Sequence, residues 1–346
     1  MNNDCLAAVI PDNNPKQAGN MTMEYFIAWW NLENLFDVAN STDRPEWLQK
    51  KLKSELVGWN NTVLNNKLKQ LASIISQMNN NNGPDLLGVC EVENKTVLEK
   101  LVDALAFTGR NYAVVHSDTG DARGIDVAFI YDKNLFKKPA NKDIFSHVVV
   151  KRNATRDIVQ VNFQTKSQQK NDLVVLGNHW PSKLGGDLES EPYRIIAAET
   201  MSYWIERIYA NFEKEVPIIV MGDFNDEPFN RSITHYALGL KDSSKVKSKR
   251  SRKPYLYNLM WPLQNDQSGT HYYNNWGMLD QILVNRPLLR KESQLQLVSD
   301  SCQIFKTSDM LKSSKPRRFS RPSAGGSFDP SGFSDHLPVT VQLFEL

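Results

Sequence analysis

Eight polar side chains stand where short apolar runs end: Asn31, Glu91, His179, Asp223, Asn225, Asp280, Asp335 and His336. Carboxylates and carboxamides are hard oxygen donors, suited to magnesium or manganese rather than zinc. Two histidines near carboxylates can move protons close to neutral pH. Together these groups suit hydrolysis of a phosphate ester, with a divalent ion offsetting phosphate charge while a positioned water attacks. The stretch Ile218-Ile219-Val220-Met221-Gly222-Asp223-Phe224-Asn225 shows the pattern most clearly, a buried strand delivering polar groups at its end. Taken singly, Asp223, Asn225 and Asp335 read equally well as turn formers, and Asn31 as a strand cap. Their recurrence at several strand ends favours chemistry.

The elements that must position these residues can be traced along the chain. Residues 1–23 are polar and read as a disordered tail. A strand from Tyr25 runs into Asn31, and Val63, Leu64, Leu68, Leu71, Ile74, Ile75 and Met78 repeat at helical spacing. Asp85–Cys90 is a strand ending in Glu91, with Asn94 set to cap a following helix. Ile144–Val150 and Ile158–Phe163 predict an antiparallel hairpin. Leu173–Gly177 leads into Asn178-His179-Trp180-Pro181-Ser182-Lys183, and a helix is expected from Pro192 to Phe212. Met278–Val284 is a strand carrying Asp280, a carboxylate costly to bury unless paired or metal-bound. Strands and helices interleave with no internal linker, so residues 24–346 read as a single domain.

Composition narrows the class. The chain has 346 residues, 40% hydrophobic and 23% charged, as expected of a globular protein. No apolar run approaches the roughly 18–20 residues that span a bilayer. The opening Met1–Cys5 lacks a basic signal region, so a cytoplasmic, monomeric protein is expected. Cys5, Cys90 and Cys302 are too scattered for a disulfide framework or a metal pair. Net charge is only +2, but two basic runs, Lys245–Lys253 and Lys312–Arg321, could each neutralise phosphates or be solvated loops. Lys183 and Arg194 are candidates for substrate phosphate contact, Arg194 equally for a solvent-facing structural role.

Trp30-Asn31, Cys90-Glu91-Val92, Gly222-Asp223-Phe224-Asn225, Leu279-Asp280-Gln281 and Ser334-Asp335-His336-Leu337-Pro338 occur in that order. The set resembles the successive motifs of the endonuclease/exonuclease/phosphatase superfamily, over about Tyr25 to Leu346. Asn178–Lys183 resembles a variant found in a bacterial branch. The resemblance implies a DNase I-like, four-layer α/β sandwich: two mixed β-sheets face to face, with helices outside. It implies a magnesium site, manganese being possible, built on Glu91, Asn31 and Asp335. It implies that Asp280 holds His336, that Asp223 orients or deprotonates water, and that Asn225 holds phosphate or water. His179 would stabilise the transition state. Glu93 competes with Glu91 as the ligand, and Glu91 is preferred because it ends the strand.

The resulting expectation is a metal-dependent phosphodiesterase, a nuclease of low sequence specificity with nucleic acid as its substrate partner. The alternative is a phosphatase or phosphodiesterase on a small or lipid phosphate, of inositol phosphate or sphingomyelin type. Tyr272–Met278 departs from the Gly-Trp-Arg-Leu-Asp pattern of abasic-site repair enzymes, which makes DNA repair the weaker expectation. Trp29, Trp30, Trp180 and Trp276 are expected in the core rather than as base-stacking platforms.

Overall fold

The computed structural model describes residues 22–121, 123–149, 157–251, 253–320 and 327–346. The expected tail therefore lies outside the described residues up to residue 21, and Met23 already opens the first strand. The strands in chain order are β1 (Met23–Leu35), β2 (Leu86–Val92), β3 (Tyr112–His116), β4 (Asp126–Asp132), β5 (Ile144–His147) and β6 (Ile158–Gln164). There follow β7 (Asp172–His179), β8 (Ile218–Asp223), β9 (Gly239–Leu240), β10 (Leu256–Asn258), β11 (His271–Tyr273) and β12 (Asn275–Gly277). The last are β13 (Asp280–Val284), β14 (Leu295–Leu297), β15 (Gln303–Ile304), β16 (Leu311–Lys312), β17 (Lys315–Pro316) and β18 (Val339–Glu345).

Two sheets of seven strands dominate, one ordered β14-β18-β1-β2-β4-β3 with β15 also on β18, the other β5-β6-β7-β8-β13-β10-β9. Each is mixed and holds a parallel pair near its centre, β1 with β2 and β7 with β8. Side chains alternate across each strand, so neighbours such as Trp29 and Trp30 enter different layers. Between the sheets lie Trp29, Phe129, Val175, Met221 and Ile282. Outside the first sheet, Trp30, Val89 and Ile130 pack on Leu64 and Leu71 of the helix Asn61–Ile75 and Leu98 of the helix Lys95–Ala104. Outside the second, Val174, Leu176 and Val220 pack on Ala198, Met201 and Ile205 of the helix Asp187–Phe212. The expected four-layer sandwich is what the chain forms. Gly88 permits the close approach of the layers, since a Cβ there would meet Met221 Sδ and Trp29 Cε3, both at 2.7 Å.

Local expectations mostly match. Asn60 and Asn94 cap their helices, accepting from Val63 N at 3.1 Å and Val97 N at 2.8 Å. β5 and β6 form the antiparallel hairpin, with Ile144 opposite Val161, though residue 150 lies outside the described residues. The long helix differs, starting at Asp187 instead of Pro192. Proline in the second turn forfeits a single backbone bond, a cost that a helix packed along one sheet face can carry.

His147 offers a test of this outer layer. Its Nε2 lies 2.7 Å from Gln160 Oε1 and its ring stacks 4.1 Å from Trp204. Burial lowers its pKa below the ordinary imidazole value, against the pull of Gln160. The unfolded chain therefore takes up this proton first, and the folded state loses stability as pH falls below about 6.5. His147→Phe is expected to lose less stability than wild type between pH 7.5 and pH 5, measured by denaturant midpoints. Equal losses would exclude this linkage.

Candidate active site

Register brings the polar strand ends to one edge. β1 and β2 run parallel with Asn31 beside Cys90, so Asn31 and Glu91 emerge at the same end of the first sheet. In the second, His179 and Asp223 are neighbours at the ends of β7 and β8. β13 is antiparallel to β8, which sets its first residue, Asp280, against the last residue of β8, Asp223. The loop before β18 is clipped onto β1. Ser334 Oγ donates to Asn31 O at 2.7 Å, His336 N donates to Ser334 Oγ at 3.1 Å, and Trp30 Nε1 donates to His336 O at 2.8 Å.

The backbone departs from regular geometry where the site begins. Glu91 has φ 61° and coincides with a register shift between Cys90 and Val92. Glu33 and Asn34 have φ 53° within a shift between Asn31 and Leu35, and Asn225 has φ 50°. Left-handed conformations cost a non-glycine residue about 1–2 kcal/mol and concentrate at functional sites. Here they turn side chains out of the strand alternation.

A cavity of about 680 Å3 opens at this edge, lined by Glu91, His179, Asp223, Asn225, Asp335 and His336 together with Lys183, Arg123, Glu227 and His271. His336 Nδ1 lies 2.6 Å from Asp280 Oδ2, while Asp280 Oδ1 accepts from Trp29 Nε1 at 3.1 Å. Nε2 of His336 is 3.9 Å from Asp223 Oδ2, which accepts from Asn31 Nδ2 at 3.1 Å. Asn225 N donates to Asp223 Oδ1 at 3.0 Å. His179 Nε2 lies 3.5 Å from Glu91 Oε1 and 3.7 Å from Asp223 Oδ2, and its Nδ1 has no hydrogen-bond partner among the described residues.

Electrostatics divide the two histidines. Burial alone would lower His336, but the carboxylates of Asp280 and Asp223 override it and hold the imidazolium well above its ordinary range. Burial, aided by the charges of Arg123 and His336, drives His179 well below that range, leaving it neutral. Burial, reinforced by Asp280 and Glu91, raises Asp223 to about 7 against the pull of His336. Glu91 is raised by burial and by Asp335, against Arg123. A carboxylate near neutral pKa beside a protonated imidazole can exchange protons with water and an ester oxygen.

The raised carboxyls mark a deficit of positive charge, and the donors are hard oxygens. Both features fit a divalent cation. Of the triads among the described residues close enough to share an ion, two lie at this edge: Asp223, Asp280 and His336, and His271, Asp335 and His336. Glu91 enters neither triad, although it lines the same cavity. Glu93 points elsewhere: it is buried in a pair with Arg44, at 2.5 Å from Nε and 2.6 Å from Nη2.

Not every candidate lands here. Lys183 lines the cavity, with Nζ 3.2 Å from Asp187 and 3.5 Å from Asp226. Arg194 does not: it is 1% exposed, and its guanidinium meets Asp226 at 2.8 Å and Asp187 at 2.5 Å. Lys245–Lys253 lies by the far end of β13, where Arg286 donates to Val246 O at 3.2 Å and Ser251 O at 2.9 Å. Arg252 lies outside the described residues, as does Arg321 of the second run. Four groups were missed by reading the sequence: Arg123, His271, Glu33 and Lys67. A histidine two residues beyond Gly269, shortly before the Asp280 strand, was the available signal for His271. Its ring sits 4.6 Å from that of His336, and the two residues form a backbone bridge. Glu33 is fully buried, taking Arg318 Nε at 2.7 Å and the amides of Phe319 at 3.2 Å and Ser320 at 3.3 Å. Buried Lys67 donates to the Glu33 carbonyl, and Arg318 Nη2 reaches Asp335 at 3.3 Å.

Two face-to-face mixed sheets with this carboxylate and histidine edge define the DNase I-like class of fold. The model of the endonuclease/exonuclease/phosphatase family matches residues 26–345, and the chain belongs to that family. No curated protein matches the chain. An endonuclease/exonuclease/phosphatase family protein from Bacteroides thetaiotaomicron is 15% identical, with 94% of this chain and 100% of that one covered at a TM-score of 0.55. The human Nocturnin catalytic domain with bound sulfate is 18% identical, covering 92% of this chain and 94% of that one at 0.52. A mannosyl-6-phosphatase of Bacteroides thetaiotaomicron is 16% identical, covering 92% and 99% at 0.52. At these identities the likeness is one of fold.

Proposed function

We propose that this protein is a magnesium-dependent phosphodiesterase that cuts nucleic acid with low sequence specificity. The observation that carries the reading is the Asp280–His336 pair facing Asp223 in a cavity shared with Glu91 and Asp335. Glu91, Asp335 and Asn31 would hold the ion, which when bound neutralises charge on the phosphate. Asp223, steadied by Asn31 and the Asn225 amide, takes a proton from the attacking water. His336, oriented by Asp280, donates toward a phosphate oxygen, and neutral His179 completes the polar wall around it. Lys183 and Arg123 in the wall, with Arg318 reaching Asp335, supply the cationic surface that a polyanion needs.

One observation favours a second reading. The run Lys245–Lys253 is at the wrong end of β13 to extend that surface, and a cavity of about 680 Å3 is of small-molecule size. A small or lipid phosphoester is therefore the alternative. A panel at fixed magnesium and low salt separates them, using plasmid, single-stranded DNA, RNA, bis-p-nitrophenyl phosphate, inositol phosphates and sphingomyelin vesicles. The expected result is cleavage of nucleic acid and the artificial diester, abolished by chelation and by His336→Ala, and weakening steeply as salt rises. No phosphoester cleavage, or undiminished cleavage by His336→Ala, would end the enzyme reading. Selective inositol phosphate or lipid turnover would move it to the alternative.

A further inference from the structure

The cavity has two halves of different chemistry. Its floor is the carboxylate and histidine set; its rim carries Leu184, Tyr273 and Trp276. Leu184 is 93% exposed and Tyr273 79% exposed, large apolar surfaces left open to water at the mouth of a charged pocket. Tyr273 and Trp276 sit on the β11–β12 hairpin, whose geometry is tied to the catalytic floor. His271 bridges His336, Leu337 N donates to Thr270 O at 2.7 Å, and Thr270 Oγ1 accepts from Asp280 N at 2.9 Å. The hairpin is braced from behind, where Trp276 packs edge-on to Tyr272, with centroids 5.5 Å apart, and Lys315 Nζ lies 4.3 Å from the Tyr272 ring. Its aromatic wall therefore holds a set position relative to the phosphate-handling groups.

We infer that Tyr273, with Leu184 on the loop from Ser182, forms a stacking subsite for one unpaired base next to the scissile phosphate. This rests on the phosphodiesterase reading and narrows its substrate to single-stranded nucleic acid. Every base has a flat π-face, so an aromatic wall binds it without reading sequence. A base inside a duplex has both faces covered by its stacked neighbours and presents none to the ring. The residues around Tyr273 favour a base over a lipid: the turn residue is Asn274, the facing Asn275 is exposed, and Lys315 lies behind the hairpin, so a single aromatic ring faces outward among polar groups.

The test compares a short single-stranded oligonucleotide with a fully abasic strand of the same length and charge, at fixed magnesium, in wild type, Tyr273→Ala and Tyr273→Phe. Wild type is expected to favour the strand with bases by about 10- to 100-fold in kcat/KM. Tyr273→Ala should shrink that preference about tenfold, chiefly through KM, and Tyr273→Phe should restore it to within about twofold. A duplex of the same sequence should be cut more slowly than the single strand. The inference is overturned if wild type cuts both strands equally, if Tyr273→Ala keeps the preference, or if duplex is cut as fast. Faster turnover of sphingomyelin vesicles than of the oligonucleotide overturns it in favour of a lipid. No turnover of either strand or of the duplex removes the nuclease reading, and this inference with it.

Discussion

Asp280→Asn is expected to lower kcat on a phosphodiester by about 10²–10⁴-fold, the span associated with a lost acid or base partner. The reason lies in two bonds. Asp280 accepts from Trp29 Nε1 through Oδ1 and holds His336 Nδ1 through Oδ2 at 2.6 Å. Asparagine can still accept the tryptophan N–H, but it then presents NH2 to His336. The ring must answer with an unprotonated Nδ1, and the carboxylate that sustains its charge is gone. The imidazolium falls back toward ordinary or lower pKa, since burial is then less opposed. KM should move little because the shape of the site is preserved, whereas the denaturant midpoint should fall, since a buried charge pair loses one partner. Measuring kcat, KM and stability together checks this; a kcat within threefold of wild type would exclude a proton-transfer role for His336.

Lys67→Met carries the second large effect, this time on stability. Lys67 is fully buried, its ammonium 5.4 Å from the Phe319 ring and 6.0 Å from that of Trp59. Burial lowers its pKa to about 8 even though Glu33, Asp335 and Glu91 all pull it upward. Burial likewise raises Glu33 to about 7, with Asp335 pushing the same way. These are charges that barely tolerate their surroundings and do so through each other. Methionine keeps the length of the side chain and removes the charge, stranding the Glu33 carbonyl, while the Glu33 carboxylate keeps Arg318 and the amides of Phe319 and Ser320. Leaving that buried carbonyl without its donor costs about 1–3 kcal/mol, a noticeable share of the roughly 5–15 kcal/mol that holds a domain folded. Removing both charges together, Lys67→Met with Glu33→Gln, should recover part of the loss. Urea denaturation of the single and double variants decides it; a single variant within 1 kcal/mol of wild type would show that the pair contributes no net stability.

The sequence disclosed one side of this molecule better than the other. Strand ends such as Gly222-Asp223-Phe224-Asn225 were readable because an apolar run punctuated by polar groups has few physical explanations, and the family resemblance ordered them. Arg194 misled because Pro192 looked like a helix start, which put the arginine in an accessible first turn; starting at Asp187 buries it against Asp226. The run Lys245–Lys253 read equally as a phosphate contact or a solvated loop, and strand register sets it by the end of β13 far from Asp280. Lys67 was hidden most thoroughly. On an amphipathic helix a lysine reads as solvated, and its partner Glu33 is 34 residues away in sequence. Trp30 and Trp180 are buried as expected, whereas Trp276 stands at the cavity rim.

The left-handed backbone at Glu91 places two kinds of selection in opposition. Position 91, at φ 61°, would be more comfortable as glycine, which adopts that conformation without strain. A lineage retained only for a sturdy scaffold would drift toward glycine there, whereas one retained for turnover must keep a bulky acid in an awkward posture. If Glu91 holds the ion as proposed, the residue at 91 in any descendant of this chain records whether its chemistry is still being used.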